Sequence, residues 1–243
     1  MSGPLLRRGL KALGVSAPGA AFTGMRSLGE TAELLERFLA ELDRWNVRFG
    51  FVKAAPDELV TRHVLDSLAG TATIARLCAE RAPAAVLDAG SGAGFPGIPL
   101  AVALPAIRFT LLERSEKKCA FLDCCRAILG LGNVTVVTAD LASASGAFDV
   151  VTFRAVAPLQ RFLADLARSR VAWRSVAAYK GRRDRIDEEL AALGPAARSA
   201  EVVRLAVPFV DEERHLVVLR AAPDAAGPGA GSARNLDNGG VGD

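Results

Sequence analysis

Between residues 85 and 180, short runs rich in β-branched residues alternate with helical stretches, and this alternation constrains the chain most. AVLD (85–88) reads as a strand followed by a helix from about Pro96. RFTLLE (108–113) reads as a strand, then a helix from Ser115 to Leu129 that Gly130 stops. NVTVVTA (133–139) and FDVVTF (148–153) are further strands, followed by a helix from Pro158 and a strand around SVAAYK (175–180). Such alternation requires right-handed crossovers, hence a mostly parallel twisted sheet with helices on both faces. The end differs. EVVRLAVP (201–208) and HLVVLR (215–220) are separated only by PFVDEER (208–214), which leaves no room for a helix and predicts an antiparallel hairpin.

Ahead of the sheet, Ser27 and Glu30 have the spacing of a capping box, and Leu34, Leu35, Phe38, Leu39, Leu42 and Trp45 follow at helical spacing. A second helix follows Pro56, with Leu59, Val60, His63, Val64 and Leu68 on its inner side. The predicted organisation is a poorly ordered N-terminus (1–26), one domain (27–222, with helices over 27–70 and an α/β core over 84–222) and a flexible Gly-, Ala- and Pro-rich tail (223–243). An apolar share of 51% supports a core of that size, and a net charge of +3 is compatible with a nucleic-acid partner without requiring one. Cys78, Cys119, Cys124 and Cys125 have no metal-ligand spacing and are expected as buried reduced thiols. With no long apolar stretch to enter a membrane, the expectation is a cytoplasmic, metal-free monomer.

The stretch richest in chemistry is VLDAGSGAGFPGIPLAVALP (86–105), where a strand ends at Asp88 and a turn containing Gly90, Gly92 and Gly94 leads into a helix. Glycines admit positive φ and let a ligand approach the backbone, while the helix start offers N–H groups and partial positive charge. Gly92, Gly94 and Gly97 also satisfy G-x-G-x-x-G, the dinucleotide fingerprint. Asp88 ahead of the glycines, however, is expected to aim a carboxylate into the loop, which suits a cationic ligand better than a diphosphate. S-adenosylmethionine (SAM) carries an ammonium and a sulfonium and no phosphate. Glu113, at the end of the next strand, is placed to bind ribose hydroxyls, and Asp140, after the strand beyond it, to accept from the adenine amino group. A parallel sheet closed by an antiparallel C-terminal strand, seven strands in all with added N-terminal helices, is the class I SAM-dependent methyltransferase (Rossmann-like) arrangement.

The residues from Glu58 to about Gly181 resemble the bacterial 16S ribosomal RNA guanine-N7 methyltransferases. The resemblance rests on RHVLDSL (62–68), VLDAGSGAGFPGIPLA (86–101), FTLLERSEKKCAFL (109–122), LGLGNV (129–134), FDVVTFRAVAPL (148–159) and YKG (179–181). RWN (44–46) and ERHLVVL (213–219) extend it to both ends of the domain. It implies that Gly90 and Phe95 contact SAM, that Leu141 and Ala142 lie beside the adenine, and that Arg154 reaches the cofactor from the fourth strand. It also implies methyl transfer to N7 of a guanine in small-subunit RNA, with S-adenosylhomocysteine released. The chain departs from the family twice: Gly50-Phe51-Val52 replaces Asn-Leu-Thr, and Asp140-Leu141-Ala142 replaces Arg-Ala-Glu.

Guanine N7 attacks through a lone pair without losing a proton, so the reaction needs alignment and no general base; no base triad is evident. His63 and Asp66 read as a fold-stabilising pair. Lys117, Lys118, Arg154 and Lys180 are candidates for RNA contact, together with Arg182, Arg183 and Arg185 behind a strand end. With aromatics at 6%, extensive base-stacking platforms are not evident. Three other readings stay open on sequence: a nicotinamide-dependent oxidoreductase, a non-catalytic RNA-binding protein, and a methyltransferase acting on a small molecule or protein.

Overall fold

A computed structural model describes residues 3–14, 25–79 and 84–221. Seven strands form one sheet: β1 (Ala85–Ala89), β2 (Arg108–Glu113), β3 (Val134–Thr138), β4 (Ser145–Arg154), β5 (Arg170–Lys180), β6 (Glu201–Arg204) and β7 (His215–Arg220). Their order is β3-β2-β1-β4-β5-β7-β6. β1 to β5 pair in parallel, and β7 is antiparallel to both β5 and β6. The expected hairpin is present, although β6 pairs only over 201–204 and the rest of EVVRLAVP is loop. Strand order reverses between β1 and β4, so a crevice opens at their C-terminal ends, where open α/β sheets bind ligands.

Alternating side chains feed two cores. Val86 and Ala177 face a layer that includes the N-terminal helices, while Leu87, Val176 and Ala178 face the opposite layer with Phe153 and Phe162. The first layer holds α1 (Gly3–Leu13), α2 (Leu28–Phe49) and α3, a continuous helical stretch over 56–69 whose middle, Leu59–Leu65, has the wider π-helical winding. The remaining helices are α4 (Thr71–Cys78), α5 (Gly97–Ala103), α6 (Glu116–Leu129), α7 (Leu159–Arg168) and α8 (Arg183–Leu193). Ser27 caps α2 with the reciprocal Glu30 bond expected from the sequence. α8 was not legible as a helix because it buries only Ile186 and carries intrahelical ion pairs in place of an apolar stripe. Cys78, Cys119 and Cys125 are buried as expected; Cys124 is only half-buried, and all four are free thiols. Among the described residues no helix is long and apolar enough to cross a membrane.

The expectation of a poorly ordered N-terminus is corrected over 3–13; residues 1–2 and 15–24 lie outside the described residues. Residues 3–13 are helical because Leu6 and Leu10 recur at helical spacing and are both completely buried. Arg7 pairs with Glu36 of α2 at 2.9 Å, and Gly9 permits close contact with Leu65: a Cβ there would sit 2.2 Å from its Cδ1. The tail expected over 223–243 lies outside the described residues. Leu10→Ala is therefore expected to lower unfolding stability by about 2–4 kcal/mol in urea titration. A loss below about 0.5 kcal/mol would mean that α1 does not dock.

Candidate active site

The glycine turn after β1 is braced from inside. Gly90 and Ser91 both donate their N–H to the Leu112 carbonyl, at 2.8 and 3.0 Å. The Gly92 N–H donates to Glu113 Oε2 at 3.0 Å, those of Gly94 and Phe95 to the Ser91 carbonyl, and that of Gly97 to Asp88 Oδ2 at 3.0 Å. Of the N–H groups from Gly90 to Gly97 only that of Ala93 has no partner among the described residues, which corrects the expectation of free N–H groups at the start of α5 and leaves the dinucleotide reading with little physical basis. Gly92, at φ +58°, faces open space: a Cβ there would meet nothing nearer than the Gly90 carbonyl oxygen at 3.8 Å.

Two hollows of about 860 and 670 Å³ meet over this turn, sharing Phe51, Gly90, Gly92, Lys118, Arg154 and Ala155 as walls. The larger adds Glu113, Asp140, Leu141, Ala142 and Val156; the other adds Lys53, Arg62, His63, Phe95, Tyr179 and Arg214. Acidic acceptors beside an open glycine backbone suit a ligand rich in hydroxyl and amino donors. The SAM expected from the sequence has such groups.

Arg154, at the end of β4, ties the sheet to α3. Its guanidinium donates to the Arg62 carbonyl at 2.9 Å and to Asp66 Oδ2 at 3.1 Å, meets His63 Nδ1 at 2.8 Å, and lies 5.3 Å from the centre of the Phe95 ring. Asp66 also faces Arg214 at 3.4 Å. His63 and Asp66 therefore cooperate through Arg154, not as the direct pair expected. Burial, then the Arg154 charge, push the His63 imidazole down to about 4. Burial lifts the Asp66 carboxyl, and the Arg154 charge works against that.

Several expected site residues take other roles. Asp88 is fully buried and lines neither hollow; it holds the start of α5, and burial lifts its carboxyl to about 7. Gly94 turns inward at φ +89°, where a Cβ would lie 2.8 Å from Ile98 Cγ1. Lys180 lines the smaller hollow but is paired with Glu189 at 2.8 Å, and Arg182, Arg183 and Arg185 pair with Asp184, Asp187 and Glu188. Lys117 is exposed outside both hollows, whereas Lys118 lines both. Phe51, Arg62, Tyr179 and Arg214 were missed as lining residues, although RHVLDSL, YKG and ERHLVVL carry three of them.

The His63 shift gives a signed expectation. Its folded value of about 4 lies below the ordinary 6.5, so its contribution to stability is present above about 6.5 and is lost as pH falls toward 4. The buried Asp88 carboxyl works oppositely, its contribution being lost as pH rises toward 7. Long-range 15N NMR should place the His63 midpoint near 4; a midpoint at the ordinary value would show that His63 is neither buried nor set against Arg154 as described.

Residues 31–217 match the family profile described as rRNA small subunit methyltransferase G. Ribosomal RNA small subunit methyltransferase G of Burkholderia thailandensis is 39% identical over 221 residues, covering 88% of this chain and 89% of that protein. Its counterpart from Burkholderia pseudomallei is also 39% identical, with 88% of each chain covered. Among solved structures, a METTL16 methyltransferase domain aligns with TM-score 0.54 at 14% identity, covering 80% of this chain and 81% of its own. Human methyltransferase 10 domain containing protein aligns with TM-score 0.53 at 13% identity, covering 77% and 96%; both likenesses bear on the fold alone. With its sequence matched from Thr31 to Val217 and more than a third of its residues identical to relatives of similar length, this chain belongs to the rRNA small subunit methyltransferase G family.

Proposed function

We propose that the chain transfers the methyl group of SAM to N7 of a guanine in the RNA of the small ribosomal subunit, acting in the cytoplasm as a monomer. The observation that carries this reading is the internally braced glycine turn, in a chain of this family. When bound, SAM supplies an electrophilic methyl carbon on a sulfonium. Gly90 and Gly92 offer it backbone without side chains, Glu113 and Asp140 accept from its donors, and Leu141 and Ala142 flank its base. Phe95 and Arg154 close the other side of the turn. Lys118 faces the RNA. The two departures from the family leave this set usable: Asp140 keeps a carboxylate on the larger hollow although Ala142 has none.

Proton acceptors around the smaller hollow are already engaged. His63 is held neutral against Arg154, Asp66 is shared between two arginines, and the Tyr179 hydroxyl donates to the Ser67 carbonyl at 2.7 Å. A site that cannot readily take up a proton suits a nucleophile that has none to lose. N7 of guanine is such a nucleophile; an exocyclic amine is not. What the chain must provide is alignment and exclusion of water, and the rigid turn with the anchored Arg154 does this.

Small-subunit RNA from a strain lacking this gene, incubated with the protein and SAM, should gain one 7-methylguanosine by mass spectrometry. No transfer, or transfer to another base atom, overturns the proposal. Gly92→Ala would put a methyl group into the open side of the turn and is expected to weaken SAM binding about tenfold by calorimetry. A left-handed residue bearing a Cβ costs only about 1–2 kcal/mol, so the fold should survive; unchanged affinity would move SAM away from the turn.

A further inference from the structure

The cations expected to meet RNA behind β5 are all paired within the protein: Lys180 with Glu189, and Arg182, Arg183 and Arg185 within α8. A different group of cations is free of such pairs. Among the described residues Arg48, Lys53, Lys117 and Lys118 have no ion pair, and all four lie around the end of α2 and the loop after it. Arg48 and Lys117 sit 5.2 and 5.9 Å from the centre of the Phe49 ring, while Lys53 and Lys118 line the smaller hollow beside Phe51.

The local backbone fixes Phe51 in place. α2 ends at Gly50, whose φ of +60° turns the chain back on itself. Asn46 then clamps the loop: its Oδ1 accepts from the Val52 N–H at 2.8 Å and its Nδ2 donates to the Val52 carbonyl at 2.7 Å. The rings of Phe49 and Phe51 consequently stack, with centres 5.5 Å apart and planes 11° from parallel. Trp45 and Phe121 pack against Phe51 at 6.3 and 5.6 Å. A half-buried ring supported in this way by other aromatics, and lining both hollows, loses little freedom when a flat ligand lies on it.

We propose that Phe51, supported by Phe49, is a stacking surface for the guanine that receives the methyl group, with Lys53 and Lys118 holding its flanking phosphates. The proposal rests on the RNA-methyltransferase reading and deepens it. Stacking on an aromatic ring and neutralisation of phosphates by nearby cations are the two ordinary means of holding an unpaired nucleotide. Methylation at N7 leaves the base positively charged, and a π face attracts such a ring more than a neutral one. Phe51 therefore also favours the guanine as its charge develops.

The test uses the full chain, end-labelled 16S RNA for anisotropy, and SAM for calorimetry. Phe51→Ala should weaken RNA binding about tenfold, in line with the about 1–3 kcal/mol contributed by a stacked base. Phe51→Leu, which keeps an apolar side chain but removes the ring, should give a loss of about fivefold, and Phe51→Tyr should stay within about threefold of the parent. Because Phe51 also walls the larger hollow, SAM affinity is expected to fall in Phe51→Ala, but by less than RNA affinity. Unchanged RNA affinity in Phe51→Ala overturns the proposal. So does an equal loss in Phe51→Tyr, or a loss confined to SAM. Turnover of the parent is scored separately. RNA binding that depends on Phe51 without methyl transfer keeps the stacking surface and removes the proposed activity, while methyl transfer with RNA binding indifferent to Phe51 does the reverse.

Discussion

Two carboxylates hold the turn on which the site is built. Asp88 accepts from the Gly97 N–H and fixes the start of α5, and Glu113 reaches back from β2 to accept from the Gly92 N–H. Gly97 allows this closeness, since a Cβ there would lie 2.5 Å from Asp88 Oδ2 and 2.3 Å from Leu111 Cδ2. The result is a loop whose donors, that of Ala93 apart, are taken up within the protein and whose outer side is glycine backbone beside acceptors. That polarity, more than the glycine spacing, separates this site from a pyrophosphate cradle that matches the same letters.

Arg154 carries the second dependence. Its contacts with the Arg62 carbonyl, His63 and Asp66 make α3 a wall of the site and not merely a cover for the sheet. Removing one partner of such a buried cluster leaves a charge without compensation, which costs more than the pair itself contributes. The π-helical middle of α3 carries Arg62 and His63, the two residues that approach Arg154 there. α1 in turn packs against that same stretch through Gly9 and Leu65, so a mechanical chain runs from the N-terminus to the cofactor loop.

The sheet was legible because parallel strands and their crossovers write period and length into the sequence, and the hairpin because seven residues cannot hold a crossover helix. α1 was missed because a single short apolar stripe, Leu6 and Leu10, looks like a frayed end until its partner helix is known. Gly90 and Gly92 line both hollows, but Gly94 obeys the same spacing while serving the core. Side-chain direction within a turn is not encoded in spacing. Asp88 and Lys180 failed for a related reason: each is satisfied by a group nine residues further on, Gly97 and Glu189, brought to it by the fold. Phe51 was visible only as a departure from the family, and its position on both hollows comes from the clamp that Asn46 places on the loop.

The central claim is that a turn whose N–H groups, that of Ala93 apart, are taken up internally favours a donor-rich cation over a diphosphate cradled on its backbone. Calorimetric titration of the same preparation with SAM and with NAD tests it most directly. The account requires saturable one-to-one binding of SAM and an affinity for NAD at least about a hundredfold weaker, a difference of about 2.7 kcal/mol. Binding of NAD as tight as that of SAM would contradict it.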